Sequence, residues 1–229
     1  MIKSYYRLAK PGIIYGNALA AAAGFLFAAA GAVDWALFLA MLLGLSLIIG
    51  SGCVLNNIYD RDMDARMERT KNRAMATGAI PRKHALIYAL VLGVMGGLLL
   101  VLYTTPLAFA FALGGFFVYV LLYTPLKSKS AFALFVGAVA GAVPPVVGYA
   151  AAANTFDAYA FWLFAALYVW QLPHFLAIAT YRYSEYRAAG VPLLIAREPS
   201  ARAKRWGRTV FYASLAVLLL ACGALMLHR

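Results

Sequence analysis

Charge is scarce in this chain, and acidic charge is scarcer still. Only 12% of its 229 residues are charged, and only eight residues are Asp or Glu. A soluble globular domain has about a quarter charged and about half apolar residues, whereas here 65% are hydrophobic and the mean hydropathy is +0.80. A chain of this size cannot bury so much apolar surface in a water-soluble core. The composition excludes a soluble enzyme and a disordered protein, and it leaves an integral membrane protein.

Cysteine is also rare, with only two residues in the whole chain. Cys53 and Cys222 each lie within an apolar run. The chain is therefore not an extracellular disulfide scaffold, and neither thiol is expected to have a redox or metal-binding role.

Long apolar runs are abundant. A hydrocarbon core about 30 Å thick takes roughly 20 helical residues to cross. Seven runs approach this length, and they must be helical because lipid offers no partners for unpaired backbone groups. The sequence therefore predicts an all-α polytopic membrane helix bundle, with spans at 13–33, 35–54, 84–103, 106–123, 131–152, 159–180 and 209–226.

Basic residues outnumber acidic ones and follow the predicted spans. With seven spans, nineteen of the 20 Lys and Arg residues fall on one side of the membrane, and only Arg229 falls opposite. The loops on the opposite side carry only Asp34 and Asp157. Because cytoplasmic loops retain basic residues, this asymmetry predicts a cytoplasmic N-terminus and explains the net charge of +12 without a nucleic-acid partner.

Three of the acidic residues form a pattern at the end of the second span. If that helix continues, Asn56, Asp60 and Asp64 share one face, and Asp62 points away. Two carboxylates one turn apart repel each other unless a divalent cation binds them, and Mg²⁺ combines one or two carboxylates with substrate phosphates. The pattern predicts a metal-bridged diphosphate site at the membrane surface. The basic residues just downstream, which would complement the phosphates, are Arg69, Lys71 and Arg73.

Two other interpretations fit the same stretch. One is a solvated loop next to the membrane that carries charges of both signs. The other is the gating loop of a transporter, which also places Asp and Arg residues after a second span. The spacing alone does not decide between these interpretations and a diphosphate site.

The same residues resemble a known family. Asn56-x3-Asp60-x3-Asp64 after a second helix resembles the first aspartate-rich motif of the UbiA-type intramembrane prenyltransferases. Its continuation to residue 73 is similar to one branch, the protohaem IX farnesyltransferases or haem O synthases. The further segments that agree in order and interval are 123–127, 137–148, 170–175 and 181–192.

The chain also departs from this family. Ala74 stands where a proline usually follows the Asn-Arg pair, and Leu193-Leu194-Ile195 stands where Met-Leu-Pro is usual. The family usually has nine helices, and seven are predicted here. We therefore expect one transmembrane prenyltransferase-like domain over residues 1–229 that is short at its C-terminus.

The resemblance implies a reaction in which protohaem IX, farnesyl diphosphate and water give haem O and diphosphate. Mg²⁺ held by Asp60 and Asp64 would neutralise the leaving group, and Asn56 would orient a metal-bound water or a phosphate oxygen. An apolar cleft would protect the allylic cation from water until a haem vinyl group attacks it. The residues expected to bind the diphosphate are Arg69, Arg73, Lys127 and Arg182.

The family's second motif is altered in this chain. Relatives outside this branch carry a second aspartate-rich motif, but the matching loop here offers Arg182, Glu185 and Arg187, with one carboxylate. This implies direct contact of the loop with a phosphate or a haem propionate. The alternative is that Arg182 and Arg187 only anchor the orientation of the protein in the membrane.

His174 lies within the apolar sixth span, next to Pro173. Ionisable residues at membrane depth are costly and often functional. The resemblance makes His174 a candidate ligand of the haem iron, and the alternative is a hydrogen bond between helices near a proline kink.

The implied cofactor is Mg²⁺, and the implied partners are farnesyl diphosphate, protohaem IX and the lipid bilayer, with haem A synthase or terminal-oxidase assembly factors as protein partners. The expected location is the inner membrane of a prokaryote, with the site on its cytoplasmic face. Three other functions stay open: a UbiA-type enzyme with an aromatic-acid or quinone-precursor acceptor, a small transporter, and a non-catalytic haem-binding assembly protein.

Overall fold

The computed structural model describes residues 2–227, which form helices and contain no β-strand. Seven helical segments of this part of the chain are long and apolar enough to cross a membrane. A π-helical segment, Val118–Tyr123, joins the helix Pro106–Phe117 to the short helix Thr124–Leu126, so these three pieces form one span. The helices are α1 (Ile2–Leu8), α2 (Pro11–Ala29), α3 (Trp35–Tyr59), α4 (Arg61–Asp64), α5 (Arg82–Tyr103), α6 (Pro106–Phe117), α7 (Thr124–Leu126), α8 (Ala133–Ala153), α9 (Ala158–Tyr181), α10 (Tyr183–Ala188) and α11 (Ala201–Leu227).

The number of spans agrees with the sequence analysis, and two boundaries differ by five residues or more. The second span was expected to end at Val54, but α3 continues to Tyr59 because Asn56 and Asn57 find buried partners. The seventh was expected to begin at Thr209, but α11 begins at Ala201. Four of the eight added residues of α11 are basic, so the apolar run alone does not reveal that the helix begins earlier.

The helices α2 and α8 approach each other closely at two glycine residues. A Cβ at Gly148 of α8 would overlap the carbonyl oxygen of Ala21 of α2, and a Cβ at Gly24 would overlap that of Pro145. Small residues let the backbones of membrane helices approach each other in this way. The two central helices of the bundle are α8 and α3, in whose most apolar stretches 61% and 50% of the residues are buried.

The basic loops converge at one end of the bundle. Lys127, after α7, forms an ion pair with Asp60, after α3. Arg69 lies 3.7 Å from Glu185 of α10, so the loop after α9 joins the same cluster. Residues 65–81 form an ordered cover over this end, with four buried side chains: Met67, Thr70, Met75 and Ile80.

Acidic residues cap helices at the other end. The Asp34 carboxylate accepts hydrogen bonds from the backbone N–H groups of Ala36 and Leu37, each at 3.0 Å. Asp157 caps α9 in the same way, since negative charge is favourable at a helix N-terminus. Arg229, which was expected to lie alone at this end, is outside the described residues.

Candidate functional site

The end of α3 arranges the three residues of the predicted motif. The helix breaks at Asp60, but the backbone N–H of Asp60 still donates to the carbonyl of Asn56 at 2.9 Å. The N–H of Asp64 donates to the carbonyl of Asp60 at 2.7 Å. The helical spacing therefore persists across the break. Asp62 turns outward, with its side chain 80% exposed and paired only with Arg61.

Asp60 is a buried carboxylate with one free oxygen. Its side chain is 3% exposed, and its Oδ2 forms an ion pair with Lys127. Its Oδ1 is buried and has no hydrogen-bond partner within residues 2–227. Burial raises the pKa of Asp60, against the opposing effect of the Lys127 charge. Buried polar atoms are nearly always paired, so a free carboxylate oxygen here indicates a place for a cation or a donor.

Asp64 lies one turn further on and is buried to the same extent. Its side chain is 2% exposed, and the Nη1 of Arg73 donates to its two oxygens at 2.8 and 3.0 Å. The Thr70 hydroxyl donates to its backbone carbonyl at 2.9 Å, which holds the covering loop against the motif. Arg73 also reaches the Oδ1 of Asn57 at 3.4 Å.

Lys10 is a further charged residue at this end, and the sequence analysis counted it only among the basic residues of the N-terminal segment. It precedes α2 in the left-handed backbone region, with φ 53°, which is unfavourable for a residue other than glycine. Its ammonium group donates to the Oδ1 of Asn56, whose Nδ2 donates to Thr124 at 3.1 Å. Burial lowers the pKa of Lys10 to about 8.

A cavity of about 410 Å³ opens beside this charged cluster. Lys10, Asn56 and Lys127 line its polar end, and its walls are otherwise largely apolar and aromatic. Asp60 and Asp64 do not line the cavity; their carboxylates pair with Lys127 and Arg73, and of these two cations Lys127 lines it. The aromatic residues of the wall are Phe116, Tyr119, Tyr123, Trp170 and Phe175.

His174 lines the same cavity from α9. Its Nδ1 lies 2.7 Å from the hydroxyl oxygen of Ser214 on α11. That hydroxyl donates its own proton to the carbonyl of Phe211 at 2.7 Å. His174 Nδ1 is therefore the donor to Ser214, and Nε2 keeps its lone pair. The ring packs against Trp170 and Phe211, each with its ring centre 4.9 Å away.

The second motif lies apart from the large cavity. Arg182 donates to Glu185 at 3.1 and 3.3 Å, and these two residues line a separate polar cavity of about 210 Å³. Arg69 lies 3.7 Å from the same carboxylate and bridges the two loops. Arg187 is exposed on α10. Of the predicted site residues, the structure brings five together in one cluster beside the large cavity: Asn56, Asp60, Asp64, Arg73 and Lys127. Asn56 and Lys127 of this cluster line the cavity, as does His174.

A metal ion at this opening would depend on few protein ligands. Within residues 2–227, no three His, Cys, Asp or Glu side chains come together as a metal cluster. Among the described residues, Asp60 Oδ1 is a buried oxygen without a hydrogen-bond partner, whereas both carboxylate oxygens of Asp64 accept from Arg73. The remaining ligands would come from water or from a bound anion.

The chain is similar to a described family and to several named proteins. The model of the UbiA prenyltransferase family matches residues 17–228. A protoheme IX farnesyltransferase from Marinomonas sp. is 50% identical over 206 residues, which are 90% of this chain and 70% of the relative. One from Edwardsiella ictaluri is 50% identical, over 85% of this chain and 66% of the relative. Protoheme IX farnesyltransferase 2 from Pseudomonas putida is 47% identical, over 97% of this chain and 76% of the relative.

Solved structures share the fold at low sequence identity. A UbiA homologue from Archaeoglobus fulgidus, bound to GPP and Mg²⁺, superposes with a TM-score of 0.69 at 18% identity, covering 99% of this chain and 79% of its own. The apo structure of a UbiA homologue from Aeropyrum pernix gives a TM-score of 0.64 at 17% identity, covering 93% and 80%. These likenesses concern the arrangement of the helices.

Proposed function

The chain belongs to the UbiA prenyltransferase family, and from this premise we propose that it transfers a farnesyl group from farnesyl diphosphate to a vinyl group of protohaem IX. Water adds in the same reaction, so the products are haem O and diphosphate. The observation that carries the proposal is the charged cluster around Asp60 and Asp64 at the opening of an apolar cavity. We treat residues 1–229 as one prenyltransferase domain.

The residues at the opening fit a Mg²⁺ ion. Asp60 offers a buried Oδ1 that no described residue satisfies, and Asp64 lies one helical turn away. A hard cation prefers such oxygen ligands. When bound, Mg²⁺ would supply Lewis-acid neutralisation of the leaving diphosphate. The Archaeoglobus fulgidus homologue with this fold is described as bound to GPP and Mg²⁺, which supports the assignment.

The cations at the opening would bind the diphosphate. Lys127 and Arg73 now neutralise Asp60 and Asp64, and a diphosphate would give both groups a second anion within reach. Charge-assisted hydrogen bonds of this kind stabilise the negative charge that builds up as the allylic C–O bond breaks. Asn56 holds Lys10 at the same opening, so Lys10 joins this set. Arg69 lies further out, beside Glu185.

The aromatic wall would protect the farnesyl cation. Breaking the C–O bond leaves positive charge on the allylic carbon, and aromatic faces stabilise nearby cations. Tyr119 and Tyr123 stack at 5.5 Å between ring centres and line the cavity beside Lys127. The terminal carbon of a haem vinyl group then bonds to the allylic carbon of the farnesyl cation. Water adds to the cation left beside the porphyrin ring and loses a proton, which completes the product.

His174 would bind the iron of the acceptor. Its Nδ1 donates to Ser214, so the lone pair of Nε2 is available, and no described residue hydrogen-bonds to that atom. A neutral imidazole whose other nitrogen is held by a hydrogen bond is a common metal ligand. The position of His174 on the cavity wall supports this role.

The charge distribution supports a location and an orientation in the membrane. We infer that the basic end faces the cytoplasm in the inner membrane of a prokaryote, because basic loops stay in the cytoplasm. Exposed apolar side chains, such as Leu98 on α5 and Leu220 on α11, are suited to contact with lipid. The apolar product would pass through the bilayer to haem A synthase or to a terminal-oxidase assembly factor.

One assay tests the proposed reaction. Purified protein is incubated with haem, farnesyl diphosphate and Mg²⁺, and haem O is measured by mass. We expect product that requires Mg²⁺, and a loss of about 100-fold in kcat for Asp60→Asn, because one group that stabilises transition-state charge is removed. Asp62→Asn is the matched control, since its carboxylate is exposed and turned away; its kcat should stay within about twofold of the wild type.

Three results would contradict the proposal. Haem O formation that survives both Asp60→Asn and Asp64→Asn would show that the diphosphate ionises elsewhere. Bound haem without product would indicate a haem-binding assembly protein. Prenylation of an aromatic acid or quinone precursor, with haem left unchanged, would indicate a different acceptor.

A further inference from the structure

A second, polar cavity lies between the C-terminal end of α9 and the first turns of α11. Its volume is about 210 Å³, and two of its residues, Arg208 and Tyr212, have no role in the proposed site. The cavity lies at the basic end of the bundle. Its lining residues are Tyr181, Arg182, Glu185, Arg208 and Tyr212.

The cavity has an excess of positive charge. Glu185 is the acidic residue of the lining, and it is already paired with Arg182 at 3.1 Å and approached by Arg69 at 3.7 Å. Arg208 has no ion pair with any residue that the structure describes, and its guanidinium lies 5.9 Å from the ring centre of Tyr181. Arg182 lies 4.9 Å from the same ring. Two guanidinium groups lie around one phenol ring, and the one carboxylate of the lining is paired with Arg182 and not with Arg208. This arrangement forms a site for an anion.

The cavity also lies in register with His174. Tyr181 follows His174 by seven residues on α9, so it lies on nearly the same helix face and about 10.5 Å further along the axis. Phe211 of α11 contacts both rings, at 4.9 Å from His174 and 5.7 Å from Tyr181. Arg208 lies one turn before Phe211. The free imidazole nitrogen and the guanidinium groups thus occupy one stripe along the α9–α11 pair, about two helical turns apart.

We propose that this second cavity binds the propionate carboxylates of the protohaem acceptor, with Arg182 and Arg208 as their ligands. The inference rests on the proposed function. Protohaem carries its two propionates on one edge of the macrocycle, and their carboxylates can lie about two helical turns from the iron. Its vinyl groups lie away from that edge. Iron at His174 and carboxylates at the arginines would orient the macrocycle, so that its vinyl groups face the large cavity. Arg182, expected from the resemblance to bind diphosphate, would then serve the acceptor.

Binding of two closely related haems tests this assignment. The full-length protein in detergent is titrated with haem and with haem dimethyl ester, in which both carboxylates are blocked, and the Soret band is followed. We expect the wild type to bind haem at least about tenfold more tightly than the ester, because each charged hydrogen bond is lost in the ester. The affinities of Arg208→Gln for haem and for the ester should agree within about twofold, while Arg208→Lys should keep part of the preference for haem.

The matched control is Arg205→Gln, which removes an equally exposed guanidinium from the same helix end outside the cavity. It should retain the wild-type preference. Equal affinity of the wild type for haem and its ester would overturn the assignment, and so would an equal loss of preference in Arg205→Gln. A higher KM for farnesyl diphosphate in Arg182→Gln, with the haem preference intact, would also overturn it. The titration needs no turnover, so absence of haem O product would count against the proposed function alone.

Discussion

Each acidic side chain at the opening of the large cavity is matched by a basic side chain from another part of the chain. Asp60 pairs with Lys127, which is 67 residues away in sequence, and Asp64 pairs with Arg73. Removing one partner of a buried pair typically destabilises a protein by about 3–5 kcal/mol, because the other charge is left unpaired. Variants that lose a basic partner therefore need a folding control before any loss of activity is interpreted.

Lys10 gives the site a pH dependence. Its folded-state pKa of about 8 lies below the ordinary lysine value of 10.5, so the ammonium loses its proton in the folded protein as pH rises through about 8. Because the charged form attracts the diphosphate, we expect kcat/KM for farnesyl diphosphate to be constant below pH 8 and to fall by up to about tenfold per pH unit above it. The measurement is the initial rate at low farnesyl diphosphate between about pH 6.5 and 9.5.

Lys10→Arg is the control for this effect. Arginine stays protonated throughout that range, so the fall above pH 8 should disappear while the rate at pH 7 changes less. An identical fall in the wild type and Lys10→Arg would assign the pH dependence to another group.

At the scale of single residues, the sequence predicts part of the site. Asn56, Asp60 and Asp64 are recognisable because helical spacing is a local property. The role of Lys10 in the site was not predicted, because its burial and its contact with Asn56 depend on how α2 and α3 pack. One signal was available: a lysine directly before the proline that starts α2 places a positive charge at a helix N-terminus, where the dipole disfavours it. Arg208 gave no such signal among the basic residues of its loop.

At the scale of whole helices, close packing of α2 on α8 sets the width of the cavity. Gly16 and Ala20 of α2 and Gly141 and Pro144 of α8 line it. The contact that holds the two helices together lies further along, where Gly148 meets the backbone of Ala21.

Gly148→Ala should therefore destabilise the bundle. The added methyl group would overlap the Ala21 carbonyl oxygen, which is backbone and cannot turn aside. Overpacking of this kind typically costs about 1–3 kcal/mol, so we expect a lower melting temperature, measured by thermal unfolding in detergent. Gly114→Ala is the matched control, because nothing lies within 4 Å of a Cβ there. A Gly148→Ala variant as stable as Gly114→Ala would show that the two helices separate easily.

Helix number was predictable from the sequence, and helix ends were less so. Apolar length identifies a span, but α3 and α11 extend into polar residues that only tertiary contacts explain. The π-helical segment Val118–Tyr123 was predicted as ordinary helix. Its apolar residues would suit either helix type, so the sequence carries no pattern that distinguishes them.

At the scale of the molecule, the basic residues that the structure describes lie at one end of the bundle. The other end presents Asp34 and Asp157. This arrangement predicts the orientation in the membrane.

Labelling of single introduced cysteines checks this orientation. Both native cysteines are buried, so they should react slowly. We expect a membrane-impermeant maleimide to label Thr155→Cys in intact cells, and to label Ser128→Cys only after the membrane is opened, since both positions are exposed at opposite ends. The reverse pattern would place the cavity opening outside the cell and contradict the proposed location.

The paired charges beside the cavity also bear on how the protein persists when its substrates are scarce. Lys127 on Asp60 and Arg73 on Asp64 leave each carboxylate with a counter-charge from the chain itself. The bundle should then hold together without a bound ion, and withdrawal of magnesium by a chelator should silence the enzyme reversibly rather than unfold it. A cell short of haem or isoprenoid would keep folded but inactive protein, which regains activity when the substrates return.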